Sequence, residues 1–152
     1  MDRHLELERF DSVVDRIRQS SPGLHVEVQK EHPHVHALAQ LPVQPGVQPG
    51  LDFRISLTLQ NRDELHLSAG HFWVEWFPVG SPEVFEQISA AVVGLISGDY
   101  RIVESYVFGR AVRASLERPG ASGGWETVAT WSNLGGLIPW TSKRNMIQNT
   151  GS

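Results

Sequence analysis

The sequence predicts an α+β fold: a mostly antiparallel sheet with two amphipathic helices on one face. Three observations carry this. Two stretches repeat their apolar residues at three- and four-residue steps, which is the spacing of one helix face. Seven shorter stretches alternate apolar with polar residues, the period of a half-buried strand. Short turn signals join most consecutive strands, which suits antiparallel neighbours rather than crossovers.

Residues 2–20 form the first helix. Leu7, Phe10, Val13, Val14 and Ile17 share a face, and charged residues fill the rest. Ser21-Pro22-Gly23 stops it, since proline cannot continue the ladder and glycine accepts positive φ. Leu24, Val26 and Val28 then alternate with His25, Glu27 and Gln29. A turn at Glu31-His32 leads to Val35, Ala37 and Ala39 alternating with His34, His36 and Gln40. That register would set Gln29 opposite His34 and Glu27 opposite His36. VQPGVQPG, residues 43–50, doubles a Pro-Gly turn signal and reads as a loop.

Phe53, Ile55, Leu57 and Leu59 mark the clearest strand. The next segment changes parity. Leu65, Leu67 and Ala69 are apolar at odd positions, Phe72, Val74 and Trp76 at even ones. A bulge near Gly70 would restore the core face, and a plain break is the alternative. Ser81-Pro82-Glu83 starts the second helix, residues 82–97, with an N-cap serine, a proline at the first position and a carboxylate near the positive dipole end. Gly98 ends it. Residues 100–108 and 111–117 form a hairpin about a Gly109-Arg110 turn, pairing Val107 with Val112 and Val103 with Leu116. Glu104 and Tyr106 then face outward, opposite Ser115 and Arg113. Residues 125–131 are the last strand. The order is α-β4-α-β3. Residues 1–140 read as a single domain, and 141–152 as a disordered tail.

Composition limits the function classes. A chain of 152 residues with 40% apolar content can bury one core. Thirteen basic against seventeen acidic residues give a net charge of −4, and Lys143-Arg144 is the nearest thing to a basic patch, so no nucleic-acid partner is expected. The absence of cysteine excludes disulfides, thiolate zinc sites and a cysteine nucleophile. MDRHLELERF lacks the apolar run of a signal peptide, and no stretch nears the roughly 20 apolar residues of a membrane span. The expectation is a cytoplasmic protein without a membrane partner.

The chemistry-bearing stretch is EHPHVHAL, residues 31–38. On a strand, His34 and His36 would lie on one face, roughly 6.5–7 Å apart. Such a pair can converge on zinc or iron but needs a third ligand. With a bulge at Gly70, His66, His71 and Glu75 would share that polar side, as would His25 and Glu27. A hydrogen-bonded or solvated face explains the same residues more simply, so no metal or cofactor is implied. A proton-linked binding surface is the third possibility. In HFWVEWF, residues 71–77, Trp73 and Phe77 flank Glu75 on the polar side and could grip a partner, since tryptophan is enriched at binding hot spots. A covering layer such as the tail would equally account for them. Glu104, Tyr106 and Arg113 could meet as acid, phenol and cation, though ordinary cross-strand pairing suffices. No phosphate loop, dinucleotide fingerprint, Gly-x-Ser-x-Gly or His-Glu-x-x-His occurs, and no catalytic residue can be named.

The binding candidates are therefore His34, His36, His66, His71, Trp73 and Glu75. The expected function is a non-enzymatic protein-binding module, of adaptor or toxin-neutralising type. Its free sheet face or loop rim would hold an unidentified protein partner or a second copy of the chain. The alternative is a small-molecule- or metal-binding protein, or an enzyme, with a pocket between the sheet and helix 82–97.

Overall fold

The computed structural model describes residues 3–47, 50–61, 63–133 and 142–151. Helix α1 spans Arg3–Ser20 and α2 spans Pro82–Ser97. Between them run β1 (Glu27–Gln29), β2 (Ala37–Leu41), β3 (Ile55–Gln60), β4 (Glu64–Ala69) and β5 (Phe72–Trp76). After α2 come β6 (Arg101–Val107), β7 (Arg110–Pro119), β8 (Trp125–Ser132) and β9 (Lys143–Ile147). The class is α+β with antiparallel pairing throughout.

One sheet was expected, and the strands form two. The first is a meander in the order β1-β2-β3-β4-β5, and the second has the order β8-β7-β6-β9. The chain leaves β5 for α2 and returns to build its own ladder rather than extending the first. β5 packs against β7 and β8 without joining their sheet.

The interior is built as the apolar periodicity requires. Phe10, Val13 and Ile17 from α1 and Ile88, Ala91 and Leu95 from α2 are fully buried with Leu57, Leu67 and Phe72 of the first sheet. Leu57 pairs with Leu67 and Leu67 with Val74, so three strands present one apolar face. The second sheet adds Ile102, Ala114 and Leu116 to the same cluster. Arg16 ties the helices together, donating to Glu86 at 2.7 Å and lying over the Phe85 ring.

Helix α2 is capped as its sequence demands. Ser81 Oγ accepts from the Val84 amide, and Gly98 takes the left-handed conformation at φ 82°. Gly94 serves packing instead. A Cβ there would lie 2.2 Å from Cδ1 of Tyr100, whose ring rests on the helix. Gly94→Ala is expected to cost about 1–3 kcal/mol through overpacking despite alanine's better helix propensity. Urea unfolding monitored by far-UV circular dichroism measures it, and an unchanged or raised stability would disprove the close packing.

Four local expectations are corrected. β1 pairs Glu27 with Gln40 and Gln29 with Leu38, so residues 30–36 form a loop rather than a tight turn with a histidine strand after it. The two registers differ by four residues. A slide of even length keeps every side chain on its face, so alternation alone cannot distinguish them.

Gly70 is no bulge. Gly70 and His71 are a two-residue turn between β4 and β5, closed by Ala69 and Phe72, with Gly70 at φ 58°. A two-residue turn pairs odd with even positions, which is why the apolar parity changes there.

The β6–β7 turn falls one residue early, on Phe108 and Gly109, both at positive φ (50° and 75°). A register shift at Ser105/Tyr106 follows. β7 keeps its expected face, but β6 is displaced against it, which carries Glu104 inward to 1% exposure.

The tail expected to be disordered from 141 is ordered where it is described. β9 pairs with β6, and buried Asn149 donates to the carbonyls of Gly50 and Ile96 and accepts from the Asp52 amide. Polar composition hid this, because the segment's anchors are hydrogen bonds and one half-buried Ile147 rather than an apolar run.

Candidate functional site

The six residues singled out from the sequence fall in three places. His34 and His36 belong to the 30–36 loop, outside any strand. The His34 amide donates to Nδ1 of His32 at 3.2 Å, and the His36 amide donates to the Leu59 carbonyl at 2.8 Å. This loop, with Gln60 and Asn61, borders an open depression of about 680 Å³. His34 and His36 are held through their backbone amides on a loop, and are not a strand pair facing the other candidates.

His66, Trp73 and Glu75 do gather, on the outer face of the first sheet. His66 on β4 stands directly across from Glu75 on β5. Its ring lies 5.1 Å from that of Trp73. His66 Nε2 is 3.2 Å from Glu64 Oε2 and 3.9 Å from Glu75 Oε2. Glu64 was not among the candidates. Its signal was its position two residues before His66, on the same face of one strand. Asn61 also donates to Glu64 Oε2, at 2.8 Å, and this bond, followed by that from His66, holds the carboxyl below its ordinary range. Trp73 keeps 43% and Phe77 62% of its surface exposed, so no layer fully covers either.

His71 belongs to a third group, against the interior strand β6 of the second sheet. The turn carrying it meets β6, where Glu104 Oε1 accepts from the His71 amide at 2.7 Å and lies 3.2 Å from its Nδ1. Tyr106 donates to Glu104 Oε2, and its hydroxyl is 3.1 Å from His71 Nδ1. Close packing of Gly70 permits this meeting, since a Cβ there would lie 2.6 Å from Glu104 Oε1. Burial pushes the Glu104 carboxyl up, but the tyrosine hydroxyl and the histidine amide and ring outweigh it, leaving it below the usual carboxylate range. The same hydrogen bond pushes the Tyr106 hydroxyl up to about 12. Acid and phenol therefore do meet, with His71 rather than Arg113 as the third member. Arg113 instead stands in register with Ser105 and Ser132.

Tyr106 also borders a surface cleft. Tyr106, Phe108, Gly109, Lys143, Arg144 and Asn145 line a cleft of about 610 Å³. Phe108 stands at its rim on the hairpin tip with its whole side chain in solvent, 101% exposed. β9 sets Lys143 opposite Tyr106 and Arg144 opposite Ser105, and Arg110 flanks the turn. A chain of net charge −4 thus gathers cations around one bare aromatic ring. Sequence reasoning noted Lys143 and Arg144 but could not join them to Phe108, because only the β6–β9 pairing brings them together.

Among the described residues no helix is long and apolar enough to cross a membrane. Searches of protein-family models, curated proteins and solved structures each find no match to this chain.

Proposed function

We propose that this chain is a non-enzymatic protein-binding module, of adaptor or neutralising type, and that the β6–β7 tip with the adjoining β9 cleft is its docking surface. The observation that carries the reading is Phe108. A phenylalanine at φ 50° pays a steric penalty of roughly 1–2 kcal/mol that asparagine or glycine largely escapes. Among the described residues no packing of the ring offsets it, since the ring is fully exposed. Strain kept without an internal benefit marks a functional position. The surrounding Arg110, Lys143 and Arg144 fit a partner whose apolar pocket has an acidic rim. Trp73 and Phe77 remain exposed as well, and aromatic anchors of this kind dominate binding energy.

Phe108→Asn is expected to raise stability by about 0.5–1 kcal/mol, because Asn-Gly is the preferred sequence for such a turn. The same change should abolish partner capture. The experiment is affinity capture from the native cells with wild type, Phe108→Asn, and a Lys143→Glu/Arg144→Glu double variant. The expected result is one stoichiometric protein with wild type, lost with both variants and weakened by salt. Equal capture by all three chains would overturn the reading, as would a clean wild-type chain carrying only a small molecule.

A further inference from the structure

The geometry points to a binding site for one divalent first-row transition-metal ion on the outer face of the first sheet, formed by Glu64, His66 and Glu75. This goes beyond the docking reading, and none of its three ligand residues belongs to the β6–β7 tip or the β9 cleft.

The ligand set follows from strand register. Glu64 and His66 are two apart on β4 and so share a face, and Glu75 is the cross-strand partner of His66. One atom from each of the three lies within 4.8 Å of the others. His66 Nε2 stands at 3.2 Å from one carboxylate and 3.9 Å from the second. Zinc held at about 2.0–2.2 Å by nitrogen and oxygen ligands sets neighbouring donors about 3.4 Å apart, so closing the site needs only small side-chain movement. One imidazole proton can serve only one of the two carboxylates. A cation at the shared point satisfies both.

A second observation concerns the imidazole itself. His66 is only 5% exposed, covered on one side by Trp73, and its Nδ1 is buried without a hydrogen-bond partner. Nδ1 faces away from the acids and lacks the outer partner that metal-bound imidazoles usually have, so it is the placement of Nε2 between the two carboxylates that carries the assignment. Here the ring is held rigidly on a strand with Nε2 aimed at the two acids. Asn61, by donating to Glu64 Oε2, orients one of those acids, as outer partners of metal ligands do. Access comes from the other side, where the Glu75 side chain is 44% exposed. The nitrogen ligand selects zinc, cobalt, nickel or iron over calcium and magnesium, which take oxygen. Three protein ligands on an open sheet face leave a coordination position for water or for a group on a ligand.

The test uses the full chain, stripped with chelator and titrated with Zn²⁺ by calorimetry, with Co²⁺ as the spectroscopic probe. The expected result is one ion per chain, a visible Co²⁺ absorption band, and a melting temperature that rises with Zn²⁺ concentration. Glu75→Gln should weaken binding by about tenfold or more, because loss of even an outer partner of a metal ligand costs roughly 10–100-fold. The exposed position of Glu75 lets that variant fold, whatever becomes of a His66 variant. A His32→Gln/His34→Gln/His36→Gln variant should bind Zn²⁺ as wild type does, which separates this site from the histidine loop. Phe108→Asn should also bind normally, so failure of the docking reading leaves this one intact. Lack of stoichiometric binding, binding that survives Glu75→Gln, or binding lost with the loop histidines would each overturn the assignment.

Discussion

Asn149→Ala is expected to lower the stability of the fold by about 3 kcal/mol, roughly 1 kcal/mol for each of three buried hydrogen bonds lost. Asn149 is 4% exposed and links three parts of the chain. Its amide donates to the Ile96 carbonyl in the last turn of α2 and to the Gly50 carbonyl in the loop before β3, and its oxygen accepts from the Asp52 amide. Alanine strands two carbonyls and one amide N–H where water has little access. Gly98 worsens the case, since a Cβ there would sit 2.2 Å from the Asn149 carbonyl oxygen, and such close packing leaves no room for the segment to adjust. For a domain of this size the melting temperature should fall by about 6–12 °C. Truncation after residue 141 should cost more, because it also strips the β9 ladder from β6. Differential scanning calorimetry reads both. A fall of less than about 1 kcal/mol for Asn149→Ala would mean that the closing segment is not anchored as described.

Glu104→Ala should have the next largest effect, about 2–3 kcal/mol, from stranding the Tyr106 hydroxyl and the His71 amide and opening a cavity. Glu104→Gln should cost less, since its carbonyl oxygen can still accept from His71 and its amide can donate to Tyr106. The two variants also separate by pH. A carboxyl depressed in the folded state binds fewer protons there than when unfolded. Its contribution is complete above its ordinary value near 4.5 and drains as pH falls through the lower folded-state value. Tyr106 acts in the opposite direction, being raised from 10.0 to about 12. Its contribution holds below pH 10 and is lost as pH climbs towards 12. Replacing Glu104 should therefore flatten the acid limb of the stability curve. It should also bring the ultraviolet titration of one of the two tyrosines back towards the ordinary phenol range. An unchanged tyrosine titration in Glu104→Gln would dismiss the pairing.

Both predictions concern residues whose roles were hidden in the sequence to different degrees. Glu104 and Tyr106 were visible as possible partners, two apart on one strand, but placed on the wet side. One displaced residue at the Phe108-Gly109 turn reversed that. Glycine-first turn chemistry had favoured Gly109-Arg110, and a phenylalanine in the left-handed region is a choice no local preference predicts. Of the binding candidates, His66, Trp73 and Glu75 do meet, while His34 and His36 are carried away by a register that slides four residues. Glu64 escaped notice because it stands at the first position of β4, outside the apolar alternation that marks the strand.

The sequence by itself determined the α+β class, the helix caps and the buried face of the central strands. Each depends on periodicity or on a side chain bonding its own neighbours, and both are local properties. Tertiary structure alone decided that the strands split into two sheets, that β9 closes the second, and that Glu104 lies between them. Those outcomes turn on pairings between residues 30 to 100 positions apart. Their energies come from complementary surfaces that no short stretch of chain contains, so an even register slide or a one-residue turn shift leaves the local pattern unchanged while moving every distant partner.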